Sequence, residues 1–515
     1  MGQGVAGRSL RFRAGRERRF LSEFAVSLLW VARGKLLDSR LRSESDMGFP
    51  KLSWSFLCAS LFATAVAAQE PQVVHGGDER YKVDILEVVA HPDDEGFFTP
   101  YLARAIYDLH KRVAVVFATQ GGSGANHYAR ERGPALTNVR EIEAREACAR
   151  LGISLVWFLD GKDTASQDVL DSLANWGHGA NLERLVGLVR LTRPEIILTH
   201  FPGIFVGEDH GDHQATGVLA TEAFDLAASP TVFPAQLSGT TKHRELYLSN
   251  LEPWQTKKIY YGSDANDGKQ FDGTGPAYSV NEISPALKKS YARFAIDAAL
   301  PHLTQGEIES LSKMSDAEIE KLLSDPDSAW WSEPSTLIFG KSVVGGKATD
   351  DLFAHIDEKP EKRSPKPNSG CRDRPGAEGK GPRLELGGPW RFYEEFYPVH
   401  GLCALPVAKA PEIGIKTGTD LVVPLVLLHE PSKPLVVNVT AAVPEGWKVT
   451  GGVGKWQLPA EGSTSLPVHI ETPTLSTEEL RKGTAREVRI SAEVEGKPIG
   501  EVSLKVVLRA TALPQ

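Results

Sequence analysis

A chain of 515 residues with 41% hydrophobic content is long enough for about three domains, each with its own core. Its formal net charge of -8, with no basic face downstream of the first fifty residues, argues against nucleic acid as a partner, because phosphate binding needs clustered Lys and Arg. Four scattered cysteines, Cys58, Cys148, Cys371 and Cys403, exclude a disulfide framework and a cysteine-based zinc site, so any metal must be held by His and carboxylates.

Residues 1–46 are arginine-rich, and their apolar run, Phe24 to Ala32, is too short to span a bilayer. At Met47 a second beginning appears. Lys51 supplies a positive flank, Trp54 to Ala67 an apolar run, and Ala65-Val66-Ala67-Ala68 a small-residue cleavage site. This predicts a signal peptide over 47–68, with Met47 as the true start and 1–46 as an over-extended reading frame. The expected product is secreted or periplasmic, with no stable membrane span after cleavage.

Residues 69–357 are expected to form one α/β domain, a Rossmann-like layered and mostly parallel sheet, because strand-like and helix-like segments alternate from Lys82 to Tyr261. The first strand is the apolar run from Ile85 to Ala90, which Pro92 stops. It delivers His91, Asp93, Asp94 and Glu95 to a strand's carboxyl end, where open α/β sheets hold their ligands. An imidazole beside carboxylates suits zinc. Taken alone, the stretch fits a solvated polar turn equally well.

A helix is expected over Tyr101 to His110, a strand over Val113 to Thr119, and then the glycine-rich loop Gln120 to Gly124, which has neither P-loop nor dinucleotide spacing. A helix from Ala135 to Leu151 ends at Gly152, and a strand covers Leu155 to Asp160. A helix over Leu182 to Leu191 leads into the strand Glu195 to His200. That strand opens a second polar loop, ending in His210-Gly211-Asp212-His213 before a helix to about Ala227. His210 and His213, three apart, share a helical face. Two imidazole-and-acid loops at one sheet edge can meet across it.

These motifs resemble the LmbE/PIG-L family of zinc-dependent N-acetylglucosaminyl de-N-acetylases. The family's Ala-His-Pro-Asp-Asp-Glu stands at Ala90 to Glu95, its helix pattern at Arg140, Glu143, Ala147, Leu151 and Gly152, and its second histidine motif at His210 to His213. Pro253-Trp254, Lys257-Lys258 and Tyr260-Tyr261 follow, and then His302 and Gln305. The resemblance implies His91, Asp94 and His213 as zinc ligands (other divalent ions being possible), Asp93 as general base, and a protonated His210 that meets the charge developing on the substrate. Three protein ligands leave a fourth position for water. The implied reaction removes the acetyl group from an N-acetylglucosamine-type conjugate. Alternatives are a zinc amidohydrolase acting on a non-sugar amide, or a non-catalytic glycan-binding protein with a structural metal.

Arg140, Trp254 and His302 are candidate substrate contacts, against an intrahelical Arg140–Glu143 pair, a core tryptophan and a plain helix-end histidine. Asp212 is expected to orient a neighbouring imidazole. Gly211 stands where the family usually has proline, which predicts a looser turn under His210.

Residues 358–404 read as a linker, in which Trp390 to Tyr397 can pack back on the catalytic domain. Residues 405–515 alternate apolar and polar positions in short strands, which predicts an all-β sandwich. Val443 to Trp447 and Leu458 to Gly462 resemble the sandwich family appended to α-galactosidases. In an oxidising compartment Cys371 and Cys403 can bridge.

Overall fold

The computed structural model describes residues 78–204, 210–238, 246–266, 272–306, 308–325, 334–360, 381–406, 411–428, 434–460, 462–481 and 485–510. The expected reading-frame extension and signal peptide lie outside the described residues, as do 361–380 of the expected linker.

Six strands form the central sheet: β1 (Ile85–Val89), β2 (Val113–Thr119), β3 (Leu155–Gly161), β4 (Ile196–His200), β5 (Lys258–Gly262) and β6 (Ile338–Ser342). Their spatial order is β3-β2-β1-β4-β5-β6, parallel except for β6, which runs antiparallel to β5. The chain therefore winds outward from β1 to β3 and restarts on the other side of β1 with β4. Loops leaving the carboxyl ends of β1 and β4 flank this reversal, where open α/β sheets hold their ligands.

Both faces of β1 are covered, which is why it reads as a continuous apolar run. Leu86 and Val88 enter one core and Ile85 and Val89 the other. Helix α1 (Pro134–Leu151) ends on Gly152 at φ 85°, the left-handed turn expected there. A helix that periodicity did not reveal, α2 (Val169–Trp176), starts on Asp168, whose side chain accepts the Leu170 N–H. Helix α3 (His178–Thr192) is longer than the expected Leu182 to Leu191. Helix α4 (Gly211–Leu226) follows the second loop, and α5 (Tyr291–Ala299) is capped by Ser290. The expected Tyr101–His110 helix is instead a short α-helical turn, Thr99–Ala103, running into a π turn, Arg104–Asp108. Among the described residues no helix is long and apolar enough to cross a membrane.

Within the expected linker the structure departs from the sequence reading. Residues Arg383–Leu386 form β7, and Gly388–His400 form helix α6. The strands that follow α6 are β8 (Glu412–Lys416), β9 (Asp420–Leu428), β10 (Leu435–Ala442), β11 (Lys448–Gly451), β12 (Gly454–Leu458), β13 (Ser463–Glu471), β14 (Ala485–Val494) and β15 (Lys497–Arg509). They build a five-stranded sheet, β8-β15-β14-β10-β12, and a four-stranded sheet, β11-β13-β9-β7, antiparallel apart from the β8–β15 pair. Alternate residues of β9, Leu421, Val423, Leu425 and Leu427, fill the core. Glu495 and Gly496, both at positive φ, make the tight turn joining β14 to β15.

Helix α6 belongs to two cores. Trp390 packs against the sandwich, while Tyr393, Phe396 and Tyr397 are buried in the α/β core. Cys403 just beyond it is disulfide-bonded, its expected partner Cys371 lies outside the described residues, and Cys148 is free and buried.

Candidate metal centre

The two loops meet at the reversal between β1 and β4. After β1, His91 turns inward and its backbone N–H donates to Asp94 Oδ2 at 2.6 Å. Asp94 opens a 3-10 turn, Asp94–Phe97, and its carboxylate sits among three imidazoles. Oδ2 lies 3.3 Å from His91 Nδ1 and 3.1 Å from His200 Nε2, and Oδ1 lies 3.2 Å from His213 Nε2. His200 is the last residue of β4 and stacks on His213 with ring centroids 4.1 Å apart. His210 caps α4 and lies 4.2 Å from His213 and 5.1 Å from His91, centroid to centroid.

Two glycines allow this convergence. A Cβ on Gly217 would lie 2.3 Å from the His200 carbonyl, so only glycine lets α4 cross the end of β4 this closely. Gly211 is held rather than loose, contrary to the expectation. Its N–H donates to Ser166 O at 2.7 Å, and a Cβ there would lie 2.8 Å from Ser166 O, Asp168 O and Ser172 Oγ. Proline has no N–H to give to Ser166.

Behind His91, Asp212 is fully buried, accepts the Thr164 N–H at 2.8 Å and lies 3.4 Å from His91 Nε2. Asp163 joins it, with Oδ1 3.6 Å from the same nitrogen and Oδ2 accepting the Ser123 N–H at 2.8 Å. His91 thus presents Nδ1 to Asp94 and Nε2 to a carboxylate pair, the usual support of a ligating imidazole. Sequence reasoning missed Asp163. Its place just beyond β3, at the same sheet edge, was the available signal.

The electrostatics follow from burial and crowding. Burial, then the charge of Asp94, pushes the Asp93 carboxyl up to about 7, although Asp93 reaches solvent. Burial would raise Asp94 too, but His213 and His200 outweigh it and hold it well below the usual carboxylate range. Burial would lower His91, but the neighbouring carboxylates of Asp163, Asp212 and Asp94 raise it well above the ordinary imidazole value. Burial and the neighbouring His213 take His200 down to about 4. The same two causes, with His91, hold His210 well below its ordinary value, so the expected protonated His210 is disfavoured here.

His200 and His210, both lowered, stand with the ionised Asp94 carboxylate in a nitrogen-and-oxygen donor set that suits a divalent cation. Of the expected ligands, Asp94 lies 3.3 Å from His91 and 3.2 Å from His213. Among the described residues three donor groups have one atom per residue within 4.8 Å of one another, none of them holding His91, Asp94 and His213 together: Asp94, His200 and His213; His91, His210 and His213; and His91, Asp163 and Asp212. His200 had no spacing argument in the sequence, yet it touches Asp94 as closely as the expected ligands do.

Three expected substrate contacts lie elsewhere. Arg140 is 2% exposed, and its guanidinium donates to Gly121 O at 2.6 Å and Ala125 O at 2.8 Å, wrapping the glycine loop around itself. Nor does it pair with Glu143, which accepts from Thr304 N–H and Oγ1. Trp254 donates its Nε1–H to Pro194 O at 2.7 Å, at the amino end of β4 and so at the far edge of the sheet. Tyr260 and Tyr261 are core residues. His302 is 1% exposed and bonds Glu95 Oε1 at 2.5 Å.

Residues 86–224 match the family model for GlcNAc-PI de-N-acetylase, PIG-L. The α/β unit is thus similar to the PIG-L/LmbE family over these residues. The chain is 28% identical over 191 residues to a 1D-myo-inositol 2-acetamido-2-deoxy-alpha-D-glucopyranoside deacetylase of Thermobifida fusca, covering 34% of this chain and 60% of that protein. A protein of the same description from Thermobispora bispora is 28% identical over 194 residues, covering 34% and 58%. The chain thus spans about three fifths of the length of these relatives. An N,N'-diacetylchitobiose deacetylase structure from Pyrococcus horikoshii is similar at 16% identity and a TM-score of 0.35, covering 57% of this chain and 94% of that one. The PIG-L/LmbE match begins inside β1 and ends inside α4, so it takes in both loops of the cluster.

Proposed function

We propose that the PIG-L/LmbE-like domain hydrolyses the acetamide of an N-acetylglucosamine-type sugar conjugate, releasing acetate and a free amine, with zinc as its metal. The observation that carries this reading is the Asp94 carboxylate set among buried imidazoles, next to a second carboxylate, Asp93, that reaches solvent. The activities named for the family and for the Thermobifida and Thermobispora relatives support an acetamido sugar as substrate.

A divalent cation held by His91, Asp94 and His213 would supply a Lewis acid and lower the pKa of a water to about 7. Asp93 takes a proton from the attacking water, a task suited to a base poised near the working pH. His210 Nδ1 accepts the Asp212 N–H at 3.3 Å, so the neutral ring carries its proton on Nε2. That Nε2–H donates to the carbonyl oxygen as charge develops on it, without needing a charged imidazole. As the C–N bond breaks, Asp93 returns the proton to nitrogen and the amine leaves. Asp163 and Asp212 keep Nδ1 of His91 turned to Asp94.

Secretion or periplasmic residence belongs to the same proposal, supported by the signal-like pattern at 47–68 and by the disulfide at Cys403. The test is acetate release from a panel of N-acetylglucosamine conjugates, with and without chelator. Chelator-sensitive release is expected. Acetate from non-sugar amides alone would overturn the substrate assignment, and release indifferent to chelation would overturn the metal.

A further inference from the structure

The backbone of Asp93 is unusual. It stands at φ 102°, a region non-glycine residues rarely occupy and hold only when their surroundings over-determine it. The consequence is that adjacent carboxylates part: Asp94 is buried among the imidazoles, and Asp93 stays at the surface.

What over-determines Asp93 is a buried brace reaching in from 207 residues away. Glu95 Oε2 accepts the Asp93 N–H at 3.0 Å. Its other oxygen, Oε1, is 2.5 Å from His302 Nε2. Gln305 donates to the Pro92 carbonyl of the same peptide group, and its Nε2 lies 3.4 Å from His302 Nδ1. The Asp93 carbonyl accepts the Gly96 N–H at 2.9 Å. Glu95, His302 and Gln305 are all buried. The 302–305 turn is itself anchored, because Thr304 gives both its N–H and its hydroxyl to Glu143 on α1.

We propose that Glu95, fixed by His302 and Gln305, is a positioning residue that holds Asp93 in its left-handed backbone and so aims the Asp93 carboxylate for proton transfer. The inference rests on the reading of Asp93 as the base of a deacetylation. The brace acts on one peptide group, so its loss displaces the base while the metal ligands keep their own contacts. A misplacement of about 1 Å at a reacting group costs about 100-fold in rate.

The test uses the full chain with Glu95→Gln and, as the milder variant, His302→Asn. Amide exchange at Asp93, resolved by fragmentation mass spectrometry, should speed up about tenfold or more as the N–H loses its carboxylate partner. In the same variants kcat should fall by about 10- to 100-fold, with KM and bound zinc per chain unchanged. In an Asp93→Asn background, Glu95→Gln should cost almost nothing further. Exchange at Asp93 within twofold of wild type in both variants would overturn the proposal. So would loss of zinc, or an equal further loss of rate in the Asp93→Asn background, since either would make Glu95 a general support of the loop. If the wild-type chain releases no acetate from any conjugate, the deacetylation reading fails on its own, and the exchange measurement still decides whether Glu95 and His302 hold Asp93.

Discussion

The crest of the α/β unit and the interior of the sandwich are both dry, yet they are filled in opposite ways. Around β1 and β4 the buried residues include His91, Asp94, Glu95, Asp163, His200, His210, Asp212, His213 and His302. Between 381 and 510, Thr472 is the one buried polar residue among those described. Desolvating charge costs free energy unless each group is paired. The crest carries that cost at the point where a cation and an acetamide would need preorganised groups, and the sandwich, which has apolar packing alone to do, carries none.

The largest expected effect sits at the crest. Asp93→Asn should lower kcat by about 10²- to 10⁴-fold, because on the proposed reading it removes the proton acceptor, while bound metal per chain stays unchanged. Steady-state kinetics with metal analysis checks this, and near-wild-type kcat would remove Asp93 from the mechanism. The counterpart in the sandwich is Leu425→Ala. It deletes a side chain that is 1% exposed and should cost about 2–5 kcal/mol of stability, read as a lower urea midpoint, with kcat/KM of the folded protein unchanged. A fall in kcat/KM would show that the two regions are less separate in function than in composition.

A third change tests the comparison inside the α/β unit itself. Glu87 lies mid-strand in β1, fully buried, with neither carboxylate oxygen hydrogen-bonded. Its partners across the sheet are Val115 and Leu198. Burial, then the charges of Glu95 and Asp94, raise its carboxyl well above the ordinary value, so the folded chain holds a proton that the unfolded chain releases. Stability from this group is therefore full below the unfolded carboxyl range and declines as pH rises through and above it. Glu87→Leu should stabilise the fold by about 1–3 kcal/mol at neutral pH and flatten that decline. Urea midpoints from pH 4 to 8 measure both, and a destabilised variant would assign Glu87 a role that packing does not reveal.

How much of this was legible follows from the range over which each signal acts. The run from Ile85 to Ala90, the stop at Pro92, Gly152 after α1 and the His210–His213 spacing are local, and each marks its element in the structure. Helix α2 also had a local signal, Asp168 as its cap, but its eight residues gave too short a period to read. Arg140 was illegible because its partners, Gly121 O and Ala125 O, are backbone carbonyls that any sequence supplies. The place of Trp254 was illegible because a motif gives order along the chain, not which end of β4 its indole will reach. The stretch from 383 to 400 read as linker because prolines and glycines surround it, although its aromatics hold helix α6 against two cores.

That helix defines the smallest effect and the place where the two regions join. Tyr397 donates its hydroxyl to Pro202 O at 2.8 Å, in the segment that follows β4, and the Tyr393 hydroxyl lies 3.2 Å from Gln214 Oε1, one residue beyond His213. Both contacts are buried, so removing one hydroxyl leaves its partner dry. Tyr397→Phe should cost about 1 kcal/mol, seen as a small drop in urea midpoint. Because His200 and His213 are fixed independently by β4 and by the crossing at Gly217, zinc affinity should stay within about twofold of wild type, well under the tenfold that 1.4 kcal/mol represents. A metal titration of Tyr397→Phe showing a tenfold weaker site would mean that the appended helix shapes the cluster itself, and the line between crest and sandwich would then have to be drawn on the far side of α6.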